Sequence, residues 1–338
     1  MFAFEGDDTP VPNVVEQTFM KESKNTNALN EYLAKKLIEL HRGSQLLVAT
    51  LKDTVVCSFD SEPLHHSDIS ITKCQSEEAD QRIVRHVLHI VDNYDEFKWI
   101  VVDTIDTDVL MLLISFVGQM ENVDPSLQVY AHLTAGKKYY NITEIAKKLG
   151  KDECMALLFF YCVTGCDTVS SLTGKGNCKA WDTWFNAEKK DQFTSVFKEL
   201  GNQPKDVTAE QMQIIEEFVC LLYGVPQGSL ASIRLNKFQK STDDDLRKLP
   251  PSREALSQHV KRSCYQAGYL WQESLLDLPL PKPTEWGWKY DEINGYTPQW
   301  LTTPSSIDLE KFVTTCSCKS GKCKQCKCAK FDMACIRM

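Results

Sequence analysis

Acidic side chains recur in three short patches whose residue types and spacing suit hard metal ions. The first is Glu77-Glu78-Ala79-Asp80. The second is Asp103-Thr104-Ile105-Asp106-Thr107-Asp108. The third is Thr164-Gly165-Cys166-Asp167, followed by Gly174-Lys175-Gly176. Converging carboxylates repel one another unless a cation neutralises them, and Mg²⁺ or Mn²⁺ takes a few such oxygens plus water. Two ions about 4 Å apart clamp a phosphodiester and activate a water for attack. Each patch also has a plainer reading: Glu77, Glu78 and Asp80 favour a helix N-terminus, and Asp106 or Asp108 caps the following helix.

A second constellation is Cys316-x-Cys318-x4-Cys323-x2-Cys326-x-Cys328-x6-Cys335, which holds six of the 14 cysteines. In a reducing compartment such density reads as thiolate ligation of Zn²⁺. The alternative is an unfolded thiol-rich tail. Residues 316–338 also hold six Lys/Arg against one Asp, although the whole chain carries a net charge of -8. A basic tail on an acidic body suits phosphate contact, or simply solvation. The other eight cysteines read as small buried hydrophobes. The pair His65-His66 and the helical His86 and His89 read as non-ligands, and Asp53 and Asp60 as turn residues. Neither a P-loop nor a dinucleotide fingerprint is present.

The elements that must position these groups follow from periodicity. Leu29, Leu33, Leu37 and Leu40 fall at helical spacing over 27–41; strands over 45–51 and 54–59 make a hairpin; 61–75 is polar loop. A helix opens near Ser76, with Ile83, Val87, Ile90 and Val91 as its apolar stripe. The run WIVVD, Trp99 to Asp103, reads as a buried strand ahead of a helix over 108–120. Strand, loop and helix in that order predict an α/β unit, with ligands at the strand end. Strands over 127–133 and 138–141 follow, then helices over 142–149, 153–163, 178–186, 191–200, 209–222 and 254–271. Residues 272–310, with Trp286, Trp288, Trp300 and five of the 13 prolines, read as an extended strap docked on the body.

With 338 residues, 43% of them apolar and 25% charged, the chain has the composition of a globular protein and is not wholly disordered. Its longest nearly apolar run, Val109 to Val117, is far short of the roughly 20 residues that span a bilayer. The acidic start, MFAFEGDDTPVP, lacks the basic region of a signal peptide, so an intracellular protein with reduced thiols and no membrane partner is expected.

The series EEAD, DTIDTDVLML and TGCDTVSSLTGKG, spanning residues 75–185, resembles the nuclease core of the flap-endonuclease superfamily, related to PIN-domain nucleases. More closely, the chain from about residue 27 resembles a group of mobile-element-like animal proteins. Their signatures stand here as Glu77–Arg82, Asp106–Val109, Thr164–Ser170, Lys261–Gly268, Glu285–Trp288 and Cys316–Cys335.

The resemblance implies an α/β fold: a PIN/flap-endonuclease-like sheet flanked by helices, then a mostly helical half and a small zinc-binding tail resembling CXC-type modules. Its divisions are a loose segment 1–26, the nuclease-like domain with its helical half 27–271, a Pro/Trp-rich strap 272–315 and the tail 316–338. Glu78, Asp80, Asp106, Asp108 and Asp167 then hold Mg²⁺ or Mn²⁺ as the catalytic set. Gly174, Lys175, Gly176 and Lys179 contact a nucleic-acid backbone, and Cys316, Cys318, Cys323, Cys326, Cys328 and Cys335 hold Zn²⁺. The implied partner is DNA more than RNA, and the implied compartment the nucleus. The superfamily also places aspartates on a first strand; here no apolar strand ending in Asp precedes residue 45, so a truncated or degenerate copy, or a fragmentary gene model, is expected. The competing expectation is a catalytically inactive nucleic-acid-binding or interaction scaffold derived from a mobile element.

Overall fold

The computed structural model describes residues 23–41, 47–50, 55–59, 62–64, 79–94, 96–120, 124, 126–240, 249–272 and 279–301. Helix α1 (Ser23–Leu40) carries the leucine stripe, of which Leu33, Leu37 and Leu40 stay exposed. Strands β1 (Leu47–Thr50), β2 (Val55–Phe59) and β3 (Glu62–Leu64) form an antiparallel sheet in that order. β3 lies in the stretch read as polar loop. It extends the hairpin by pairing Cys57 with Leu64 and Phe59 with Glu62.

Helix α2 (Ala79–Asn93) turns Val84 and Val87 inward, and β4 (Trp99–Thr104) follows it. Helix α3 (Thr107–Val117) then leads to β5 (Gln128–Leu133) and β6 (Lys138–Asn141). The sheet order is β4-β5-β6; β4 and β5 run parallel, and β6 returns antiparallel. Together these make an α/β unit with a small mixed sheet. The run WIVVD is buried on one face only. Ile100 and Val102 face the core, while Trp99 is 73% and Val101 54% exposed. Strand side chains alternate, so a strand covered by helices on one side hides every second residue. Helix α3 shows the opposite extreme: Val109, Leu110, Leu112, Leu113, Ile114 and Phe116 are all buried. A helix with so little polar surface belongs at the centre of the core.

Helices α4 (Ile142–Leu149) and α5 (Lys151–Thr164) follow, with Asn141 capping α4 through the Glu144 N–H. α5 is buried continuously from Ala156 to Thr164. Around it pack α6 (Asn177–Phe185), α7 (Lys190–Leu200), α8 (Ala209–Leu222), α9 (Leu230–Lys240) and α10 (Arg253–Tyr265). Their core is aromatic: Phe160 meets Trp184 at 4.7 Å between ring centroids, and Phe197 meets Phe218 edge-on at 5.2 Å. Edge-to-face pairs of this kind add to the burial of the rings themselves.

Three further elements depart from the sequence expectation. α9 has only Leu230 and Ile233 inside, while Leu235 and Phe238 face water, so its pattern carries no clean stripe. The helix read as 254–271 changes at Gln266 into a π turn, Gln266–Leu270. Gly268 there sits so close to Pro204 that an added Cβ would meet its Cδ at 2.7 Å. The proline- and tryptophan-rich stretch is folded where it is described. A 3₁₀ turn, Pro283–Glu285, precedes a hairpin of β7 (Trp288–Asp291) and β8 (Gly295–Pro298), whose turn Asp291 holds by accepting from the Ile293 and Asn294 N–H groups. Trp286 is buried against Tyr269, which docks the stretch on the π turn.

Candidate functional site

The aspartates of the second patch sit at the junction of β4 and α3. Asp106 is the N-cap of α3: its Oδ1 accepts the Asp108 N–H at 2.8 Å, and its own N–H donates to Thr104 Oγ1 at 3.0 Å. Asp108, in the first turn, is only 9% exposed and accepts the Tyr161 hydroxyl at 2.8 Å. Tyr161 lies on α5, and its hydroxyl also meets Thr107 Oγ1 at 3.2 Å. Burial pushes the Tyr161 phenol well up, so it stays a donor to Asp108. A carboxylate oxygen carries two lone pairs, so one accepted hydrogen bond does not by itself exclude a hard cation. Asp103, on the open face of β4, pairs with His132, which stacks on Tyr139.

Asp167 is exposed in the turn after α5, closed by the Cys166–Val169 bridge. The preceding Gly165 ends α5 at φ +118°. Cys166 Sγ lies 4.0 Å from Cys162 Sγ and 3.5 Å from Thr168 Oγ1. The Cys162 thiol, and then the Thr168 hydroxyl and turn N–H groups, bring Cys166 down to about 7 against the opposing effect of burial. Burial pushes Cys162 up, and Asp108 and Cys166 push in the same direction. The third patch therefore shares a neighbourhood with Asp108.

Asp80 lies half-buried in the first turn of α2, beside the buried Gln81. Gln81 Nε2 donates to the Leu270 carbonyl at 2.7 Å, and the next residue, Trp271, packs its ring 6.3 Å from that of Tyr161. A chain of contacts thus runs from the start of α2 through Leu270, Trp271 and Tyr161 to Asp108. Among the described residues no group of three or more His, Cys, Asp or Glu is arranged to hold a metal ion. Glu78 lies outside them, as do all six tail cysteines, His65, His66, Asp53 and Asp60.

The glycine loop has its own surroundings. The Tyr223 hydroxyl donates to Thr173 O at 3.1 Å, and the Lys175 N–H donates to Leu172 O at 3.0 Å. Lys175 Nζ stands 4.7 Å, and Lys237 Nζ 5.6 Å, from the Tyr223 ring centroid. Partial burial, then Lys237 and Lys179, hold the Lys175 ammonium below its usual range. A cation lowered by neighbouring cations marks a local excess of positive charge. Gly174, at φ +69°, and Gly176 have nothing within 4 Å of a Cβ position, so the loop backbone is open to approach.

Tyr161, Tyr223 and Lys237 were not singled out by sequence. Tyr161 had a signal: a lone phenol in the apolar run of α5 needs a polar partner. Lys237 had none, because α9 itself was not legible. Of the eight other cysteines, the described ones divide: Cys154, Cys162, Cys220 and Cys264 are buried, Cys166 is half-buried and Cys178 is exposed, while Cys74 and the side chain of Cys57 lie outside the described residues. No family model, curated protein or solved structure matches the chain.

Proposed function

We propose that the chain is a divalent-metal-dependent, nuclease-like protein of PIN/flap-endonuclease type that engages nucleic-acid phosphodiesters, DNA in preference to RNA, in the nucleus. The observation that supports it most is the lysine group at the glycine loop. Lys175, Lys179 and Lys237 converge beside an open Gly174-Lys175-Gly176 backbone at the start of α6. Such a surface suits a run of phosphates, where positive side chains and backbone N–H groups act together.

On this reading Asp80, Asp106, Asp108 and Asp167, with Glu78, hold Mg²⁺ or Mn²⁺. The ions would supply Lewis acidity and an activated water. The chain's own part is to fix the carboxylates. The α3 N-cap holds Asp106, the Tyr161 hydroxyl aims Asp108, and the lysines anchor the backbone flanking the scissile bond. Cys316, Cys318, Cys323, Cys326, Cys328 and Cys335 bind Zn²⁺, and their intervening lysines add phosphate contacts.

One observation favours the inactive-scaffold reading: Asp106 and Asp108 are already engaged, one as a helix cap and one by a tyrosine. The first of two measurements separates the readings, and the second tests the nucleic-acid surface. Mg²⁺ or Mn²⁺ at ten times its Kd should stabilise the protein by about 1.4 kcal/mol. Asp106→Asn with Asp108→Asn should abolish that gain. Asparagine still caps a helix and still accepts from Tyr161, so the double variant keeps the fold. Full metal stabilisation in the variant would place the ions elsewhere. For binding, replacing Lys175, Lys179 and Lys237 with Ala should flatten the dependence of log K on log salt for duplex DNA by about 2 to 3 units. An unchanged slope would remove the loop from the interface.

No helix among the described residues is long and apolar enough to cross a membrane.

A further inference from the structure

We propose that Cys162 and Cys166 are a dithiol modification site that small-molecule disulfides convert to an internal disulfide, tying the end of α5 to the turn that carries Asp167. Three features support the assignment. The two sulfurs are already in contact at 4.0 Å. Closing them to a bond of about 2.05 Å needs a shift of about 2 Å, the scale of a side-chain rotation in a turn. Their exposures differ: Cys162 is fully buried and Cys166 half-buried, so one sulfur meets reagents and the other waits behind it. Finally, Cys166 leaves the helix through Gly165 into a short turn, with Val169 N–H on Cys166 O and Thr168 Oγ1 beside the sulfur. A sulfur on a turn can reorient without breaking the helix behind it. Among the other described cysteines, Cys154, Cys220 and Cys264 are buried and Cys178 is exposed.

The chemistry balances with a disulfide RSSR as the oxidant. The Cys166 thiolate attacks one reagent sulfur, the reagent S–S bond breaks, and RS⁻ leaves. The Cys162 thiol then gives up its proton and attacks the Cys166 sulfur of the mixed disulfide, and the second RS⁻ leaves. Two electrons pass from the pair to the reagent, and the two thiol protons end on the two RS⁻ groups. The step needs no metal ion and no nuclease activity, so it stands independently of the function proposed above.

The test uses the full chain and oxidised glutathione, followed by acid quench, alkylation and cleavage after lysine. The peptide 152–175 contains Cys154, Cys162 and Cys166. In the wild type it should lose two hydrogens, about 2 Da, with Cys154 alkylated and no glutathione retained. Cys162→Ser should trap glutathione on Cys166. Cys166→Ser should leave Cys162 unmodified, because nothing exposes it. A glutathione adduct persisting on wild-type Cys166, alkylation of both sulfurs, or a bond from Cys166 to any cysteine outside the peptide would overturn the proposal. The wild-type result decides alone if either variant folds poorly.

Discussion

Lowering the pH from 7 to 4 should remove about 3 kcal/mol of stability through His259 alone. The imidazole is buried on α10. Its Nε2 lies 2.8 Å from the Val163 carbonyl, which can only accept, so that nitrogen carries the hydrogen. Nδ1 then takes the Ser170 hydroxyl at 2.8 Å. The neutral ring satisfies both partners, whereas the charged ring would present a second donor inside the core. Burial is the main cause that brings its pKa from 6.5 down to about 4. The Val163 carbonyl opposes this, and the positive Arg262 adds to it. Arg262 is the charged group facing the site: its Nη2 reaches Ser170 Oγ at 3.4 Å, and Nη1 donates to the Gln299 carbonyl at 2.9 Å.

The sign follows from proton uptake. Below about pH 6.5 the unfolded chain protonates this histidine and the folded one does not. The stability it contributes is therefore complete above pH 6.5 and is lost as the pH falls to 4, with no further loss from this group below that. Carboxylates titrate in the same window, so the informative quantity is the difference between wild type and His259→Gln. Urea unfolding at pH 4, 5, 6 and 7 should give curves that converge at the acid end by about 3 kcal/mol. Parallel curves would mean that His259 does not stay neutral in the folded protein.

That network also shows where sequence reading stops. Helices α6, α7 and α8 were legible because each has an inward apolar face at helical spacing, as with Phe193, Val196, Phe197 and Leu200 on α7. The parallel β4–α3–β5 unit was legible from a β-branched run followed by an apolar one. The half-open face of β4 was not, because Trp99 and Val101 are as apolar as Ile100 and Val102; only the missing helical layer tells them apart. Of the candidate site, the sequence marked Asp106 and Asp108 and expected one of them to cap the helix, but not that a tyrosine 53 residues away holds the other. Ser170, His259 and Arg262 meet across about ninety residues, and no local pattern encodes such a meeting. The lysine group depends on α9, whose exposed Leu235 and Phe238 blur the periodicity that would have revealed it.

Gly165→Ala should be the most damaging conservative change in the third patch, costing about 3 to 5 kcal/mol. Two penalties add at this residue. Its φ of +118° lies outside the regions open to side-chain-bearing residues, which costs on the order of 1–3 kcal/mol. In addition, a Cβ would stand 2.6 Å from Ser171 Cβ and 2.7 Å from Ser171 Cα. The second contact is with backbone, so no rotamer relieves it, and overpacking of this kind costs roughly 1–3 kcal/mol more. The backbone cannot retreat easily either, because the Gly165 N–H is held by the Tyr161 and Cys162 carbonyls at 3.1 Å. The neighbouring Gly174 is the control. Its φ is also positive, at +69°, but nothing lies within 4 Å of its Cβ position, so Gly174→Ala should cost only about 1 kcal/mol. Denaturant unfolding of the two variants at neutral pH measures both. Equal losses would show that contact with Ser171 contributes nothing, and that the turn bearing Asp167 is not held against the segment leading to Ser170 and His259.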